Sequence, residues 1–385
     1  MKKLIAMSLA AIMAVAGLAG CGNQAAETDG ENTLVIGGIG PVTGAAATYG
    51  QAVKNGAELA VKEINAAGGV NGMTLKFLFE DDEHDAEKSV NAYNTLKDKG
   101  IQLLMGTVTS TPCVAVAEKT FEDNMFQLTP SGSSVDCITH DNAFRICFSD
   151  PNQGIASAQY IADNNLATKV AVIYNSSDVY SSGIYEKFAT EAANKGLEIV
   201  AAEAFTKDSA TDFTVQIQKV KESGAELLFL PIYYQEAALI LTQADKVDLD
   251  VEFFGCDGLD GVIAQLGDQA ALADGVMLLT PFAADAKDEK TVAFTTAYKA
   301  AYNDEIPTQF AADAYDAIYV IKAALEKAEV SDANIAVSDL CEKLKAAMVE
   351  IEVPGVTGTM TWTADGEPTK DPKAMYIENG AYKAR

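Results

Sequence analysis

Near its start this chain joins a run of small residues to a strand on one side and a helix on the other: Gly37 to Gly72 reads GGIGPVTGAAATYGQAVKNGAELAVKEINAAGGVNG. Thr33 to Ile39 is a short β-rich run, and Pro41 to Gly44 carries turn chemistry. Val53, Ala57, Ala60, Val61 and Ile64 recur at helical spacing. Gly68 and Gly69 then stop the helix. The rhythm continues downstream. Leu75–Phe79, Ile101–Gly106, Phe126–Thr129, Val170–Tyr174, Leu227–Pro231 and Val251–Gly255 are expected strands. Amphipathic helical patterns lie between them at Ala86–Lys99, Pro112–Glu122, Gly154–Asn164, Ser181–Lys195, Phe213–Ser223 and Tyr233–Lys246. Strand–helix alternation of this kind defines the α/β class with doubly wound parallel sheets. A dinucleotide-binding turn is excluded by spacing. Gly38, Gly40 and Gly44 do not form G-x-G-x-x-G, and Glu80, Asp81 and Asp82 follow the loop by roughly 40 residues where about 20 are needed.

The first 20 residues stand outside this pattern. Lys2 and Lys3 precede an apolar run, Leu4 to Ala19, that ends in Leu18-Ala19-Gly20-Cys21. The run is too short for a spanning helix, which needs about 20 apolar residues, and fits a secretion signal. Its end resembles bacterial lipoprotein signals, which implies cleavage before Cys21, acylation of the Cys21 sulfur and an extracytoplasmic protein anchored to the cell membrane by lipid. Residues 21–31 are small and polar, as a flexible tether would be. The 365 residues that remain suit two domains better than one core. Loss of the two leader lysines takes the formal charge from −27 to −29, a surface that repels nucleic acid and anionic headgroups. Beyond the acylated Cys21, five cysteines remain, Cys113, Cys137, Cys147, Cys256 and Cys341. The number is odd, so at least one stays unpaired within the chain, and no C-x-x-C or Cys/His cluster points to zinc.

Four motifs, GPVTG at Gly40, Tyr49-Gly50, GAELAVKEIN at Gly56 and GGVNG at Gly68, resemble the start of the type I periplasmic binding proteins, in particular the leucine/isoleucine/valine-binding branch that serves ABC importers. The resemblance covers nearly the whole mature chain. It implies two doubly wound lobes joined by a three-segment hinge, with residues 32–150 and 282–374 in the N-terminal lobe and residues 151–281 and 375–385 in the C-terminal lobe. It also implies no catalysis and no cofactor, an amino-acid ligand, a membrane permease with its ATPase subunits as partners, and a monomer. Some relatives carry a disulfide whose matching positions here are His84 and Thr109, so that bridge is not expected.

Open α/β sheets bind ligands at the carboxyl ends of their strands. Gly106-Thr107-Val108-Thr109-Ser110 leaves such a strand and enters a helix, where hydroxyls and unpaired N–H groups suit a carboxylate. Ser110 matches the family serine for the ligand α-carboxylate. In Thr129-Pro130-Ser131-Gly132-Ser133-Ser134, Gly132 would offer its carbonyl to an ammonium and Ser133 its hydroxyl and N–H. From the opposite lobe come Tyr180, Tyr233 and Asp257, the last matching the acid that pairs with the α-ammonium. Tyr49 matches the aromatic that lines the side-chain pocket. Tyr234 is expected to point away.

Enzyme chemistry finds little support: the two histidines, His84 and His140, belong to no H-E-x-x-H, and there is no G-x-S-x-G. The acidic run from Glu80 to Asp85 is expected to be a solvated loop that binds no metal, with Asp85 capping the next helix. The competing reading keeps the fold but gives it a short amide, urea or an aromatic acid as ligand, for which the acid at Asp257 has little use.

Overall fold

The computed structural model describes residues 32–370 and 372–384, so the leader, Cys21 and the tether lie outside the described residues. The first half runs β1 (Thr33–Gly40), α1 (Ala47–Ala66), β2 (Thr74–Asp81), α2 (Ala86–Asp98), β3 (Leu103–Gly106), α3 (Ser110–Glu122), β4 (Gln127–Thr129) and β5 (Ala143–Arg145). It continues through α4 (Asp150–Asp163), β6 (Lys169–Asn175), α5 (Val179–Lys195), β7 (Glu198–Phe205), α6 (Thr214–Ser223), β8 (Leu227–Leu230), α7 (Tyr234–Asp245) and β9 (Glu252–Gly255). Then follow α8 (Val262–Leu266), β10 (Met277–Thr280), α9 (Glu289–Ala301), α10 (Gln309–Lys327) and α11 (Val337–Met348). The chain closes with β11 (Val353–Pro354), β12 (Thr359–Met360), β13 (Lys373–Glu378) and β14 (Ala381–Ala384).

These strands form two principal sheets. The first has five strands in the order β2-β1-β3-β4-β5, all parallel. The second has seven, β14-β13-β10-β9-β8-β6-β7, in which β13 and β14 run antiparallel at one edge of a parallel set. The central strands Leu103–Gly106, Leu227–Leu230 and Met277–Thr280 are buried at every position, because helices cover both faces of a parallel sheet. A small β11-β12 ladder stands apart.

Local chemistry fixes the element ends. Asp85 caps α2 by accepting from the Glu87 and Lys88 N–H groups, as the sequence indicates. The helix α1 buries Val53, Ala57, Ala60, Val61 and Ile64 on one face, against the first sheet and α10. Contact between α1 and α10 depends on Gly56: a Cβ there would sit 2.1 Å from the Ala311 carbonyl oxygen. Thus α10, encoded late, completes the layer over the first sheet, and β13 and β14 return to the second. The strand β13 begins at Lys373, so the second sheet takes two residues that the sequence reading assigns to the other lobe.

Candidate functional site

The carboxyl ends of the parallel strands of the two sheets face each other across a small cavity. From the first sheet, the turn after β1 brings Tyr49 on α1, and the exit of β3 brings Val108, Thr109 and Ser110. From the second, β6 leads to Tyr180 on α5, β8 to Tyr233 ahead of α7, and β9 to Asp257. Ser131, Gly258 and Phe310 complete the lining. Five of the seven residues that the sequence singles out therefore share one cavity.

Gly132 and Ser133 do not line it. They form a shelf behind Ser110, whose Oγ accepts from the Ser133 and Ser134 N–H groups, both at 3.2 Å, and lies 3.5 Å from the Ser133 hydroxyl. The Gly132 carbonyl, expected to face a ligand ammonium, here meets Arg145. This fully buried side chain donates from Nη1 to the Gly132 carbonyl at 3.3 Å and to the Ser133 carbonyl at 2.5 Å. A buried guanidinium needs acceptors, and the end of β5 places it where these two are nearest. Arg145 thus supports the shelf from below. Nothing in the sequence pattern distinguishes it from a surface arginine.

The opposite end of the cavity is acidic. Asp257 is 4% exposed, and its Oδ1 accepts from the Tyr180 hydroxyl at 2.7 Å. Its backbone N–H donates to Gln153 Oε1 at 3.2 Å, and the Gly258 N–H donates to the Tyr180 hydroxyl at 3.0 Å. Burial pushes the Asp257 carboxyl up to about 7, with the bonds from Tyr180 and Gln153 opposing it. Gly258 admits no side chain, since a Cβ would lie 2.6 Å from the Tyr180 hydroxyl and 2.7 Å from the Ile232 carbonyl oxygen.

Aromatic rings form the walls. Tyr180 and Tyr233 stack with centroids 4.9 Å apart, Tyr49 meets Tyr233 edge-on at 5.5 Å, and Phe310 lies 4.2 Å from Tyr49. Tyr234 does not line the cavity, as expected, but its ring backs Tyr49 at 4.9 Å. The Tyr49 hydroxyl donates to the Gly258 carbonyl at 2.5 Å and accepts from the Tyr234 N–H at 3.0 Å, so a residue beside the first sheet bonds twice to the backbone beside the second. Thr111 Oγ1 to Asp178 Oδ1 at 3.2 Å and the Gln309 N–H to Asp260 Oδ2 at 2.8 Å add to the closure.

The acidic run after β2 is open to solvent at Glu83 and in part at Asp81 and Asp85, as expected, but not at Asp82. Asp82 is fully buried, and that burial raises its carboxyl to about 7. His84 is only partly exposed: its Nδ1 shares a hydrogen bond with Thr109 Oγ1 at 2.8 Å, and its ring meets Tyr233 edge-on at 5.5 Å. Burial holds the His84 imidazole below its usual range, against the pull of Asp178. The loop lies under the exit of β3, where the Thr109 hydroxyl serves the imidazole and makes no cap bond to α3. Among the described residues no cluster of three His, Cys, Asp or Glu side chains could hold a metal ion, and no helix is long and apolar enough to cross a membrane.

Two opposed α/β sheets with a buried, polar-ended cavity between their strand ends define a small-molecule binding protein. A family model described as periplasmic binding protein matches residues 33–381, and the chain belongs to that family. The Leu/Ile/Val-binding protein homolog 3 of Brucella melitensis is 30% identical over 87% of this chain and 88% of its own length. The leucine-, isoleucine-, valine-, threonine- and alanine-binding protein of Pseudomonas aeruginosa is 29% identical over 84% of each chain. Among solved structures, the branched-chain amino acid transporter substrate-binding protein LivJ of Streptococcus pneumoniae, in complex with isoleucine, superposes with a TM-score of 0.83. That comparison shows 27% identity over 92% of this chain and 98% of LivJ. These relatives are binding proteins, and the non-enzyme reading rests on that kinship.

Proposed function

We propose that this protein captures an amino acid with an uncharged side chain, of the branched-chain kind, between two lobes and hands it to the permease of an ABC importer. The observation that carries the reading is the polarity of one small cavity: hydroxyls and the start of α3 at one end, a buried carboxylate at the other, tyrosines between. Ser110 and the first N–H groups of α3 would receive the α-carboxylate without a full positive charge. Asp257 would receive the α-ammonium, and that charge would draw its raised pKa back toward the ordinary carboxylate range. The aromatic walls leave no charged group for the side chain, consistent with the leucine, isoleucine and valine named for the relatives.

The two lobes would be residues 32–150 with 282–374 and residues 151–281 with 375–385, save that Lys373 and Ala374 pair with the second sheet. Ligand bound to one lobe biases closure of the other, and the closed surface is what the permease reads. Acylation at Cys21 would keep the protein on the outer face of the membrane. An aromatic acid is the second reading, since a solute-binding protein of Rhodopseudomonas palustris with 20% identity and the same fold was solved with benzoate. Asp257 weighs against it, because an anion gains nothing from a buried carboxylate.

The test is a thermal-shift screen of the soluble, unlipidated chain, freed of ligand by unfolding and refolding, against the twenty amino acids, urea, acetamide and benzoate. A ligand at about 100 times its Kd stabilises by roughly 2.7 kcal/mol. A shift confined to leucine, isoleucine, valine or a close relative supports the proposal; a shift with benzoate or amides alone overturns the zwitterion assignment while leaving the fold intact.

A further inference from the structure

Two of the buried cysteines lie against each other directly behind the anion end of the cavity. Cys113 is in the first turns of α3, three residues after Ser110, and Cys137 is in the single 3-10 turn Val135–Ile138 that follows the Ser131–Ser134 shelf. Both are 0% exposed and belong to one four-residue apolar cluster with Ile138 and Ala143. Both thiols are free in this structure and pack in that one small cluster. Cys137 Sγ lies 3.8 Å from the Ser110 carbonyl oxygen, and Gln127 Nε2 donates to Cys113 Sγ at 3.4 Å. Cys256 and Cys341 sit in other parts of the core.

Disulfides persist in extracytoplasmic compartments, and paired thiols there oxidise when geometry allows. The thiolate is the nucleophile of disulfide exchange.

We propose that Cys113 and Cys137 form a disulfide in the exported protein, and that this bond clamps the loop carrying Ser133 and Ser134 to the helix carrying Ser110. The oxidant is a low-molecular-weight disulfide of the oxidised-glutathione class. The Cys113 thiolate attacks one of its sulfurs and expels a thiolate, which takes up a proton. Cys137 then gives up its proton and attacks Cys113 Sγ in the mixed disulfide, expelling the second thiolate. Two protein S–H bonds and one S–S bond of the oxidant become one protein S–S bond and two small thiols. Because both sulfurs are fully buried, the exchange occurs while the chain folds. The bond would close a loop of about 25 residues that contains β4 and the serine shelf, which restricts the unfolded chain.

The bond itself does not depend on the ligand; the clamp's effect on binding rests on the reading given under Proposed function. The experiment refolds the mature chain with oxidised and reduced glutathione, alkylates it in denaturant and maps the digest by mass spectrometry. The expected result is a linked Cys113–Cys137 peptide pair with Cys147, Cys256 and Cys341 alkylated, and a melting temperature about 5 °C above that of the reduced protein. Alkylation of both Cys113 and Cys137, or a bridge from either to any other cysteine, overturns the bond. Equal melting temperatures in the two redox forms of the mapped protein overturn the clamp. A Cys113→Ala, Cys137→Ala double variant should lose the redox difference in melting. If the bridge maps as expected but no amino acid shifts the melt, the ligand reading falls and the bond stands.

Discussion

The two halves of the cleft occupy equivalent places, each at the carboxyl ends of a parallel sheet, yet they solve opposite problems. The side beside the first sheet presents only neutral groups to the cavity: Ser110 Oγ holds two backbone N–H groups, and the buried Arg145 ties down the carbonyls behind it. The side beside the second sheet carries a charge-bearing group that burial disfavours, with the Asp257 carboxyl at about 7 and a single phenol on its Oδ1. One end is built from dipoles that cost little to keep buried. The other is kept ready for a positive charge, and most of the discrimination should reside there.

The sharpest way to break this contrast is Asp257→Asn, which keeps the shape and removes the charge. Isothermal titration with the preferred amino acid should show affinity falling at least about 100-fold, the scale of an unpaired buried charge; unchanged affinity would sink the contrast along with the zwitterion. Ser110→Ala should weaken binding less, by about 20-fold, since it removes one hydroxyl and leaves two N–H groups to find other acceptors. A Ser110 effect larger than that of Asp257 would invert the comparison.

Acidification tests the charged end alone. The Asp257 pKa is raised by burial to about 7, above the ~3.9 of an unfolded aspartate. An acid raised in this way stabilises the empty folded chain fully below the unfolded pKa, and that contribution is lost as pH climbs from about 4 through about 7. Asp82, also raised to about 7, has the same sign. Ligand binding runs the other way, because an ammonium needs the ionised carboxylate. Affinity should drop about tenfold from pH 8 to pH 6 in the parent and stay level in Asp257→Asn. The smallest expected effect belongs to the rim: His84→Gln, measured by the same titration at pH 7.5, should weaken binding by about threefold, the worth of one neutral hydrogen bond to Thr109.

How much of this was legible in the sequence depends on residue neighbourhood. Strands such as Leu227–Leu230 are apolar throughout and read easily, and the residues just beyond them, Ser110, Tyr180, Tyr233 and Asp257, could be named from position alone. The strand Glu198–Phe205 lies at the sheet edge with most of its side chains partly or fully exposed, so its pattern resembles a loop. The short strands Ala143–Arg145 and Met277–Thr280 are set by partners rather than by length. Phe310 reaches the cavity from α10, far along the chain, and no local signal links it to Tyr49. Acidity misled at Asp82 and His84, because a run of charges describes a loop in water only when no other element covers it.

The seam between α1 and α10 bears on how the molecule comes into being. Tyr315 on α10 donates to Glu63 on α1 across 252 residues of sequence, beside the glycine-mediated contact of Gly56 with Ala311. At roughly 5–20 residues per second of synthesis, the partner of α1 arrives about 13 to 50 seconds after α1 itself. The helical layer over the earliest-made sheet therefore stays incomplete until most of the chain exists.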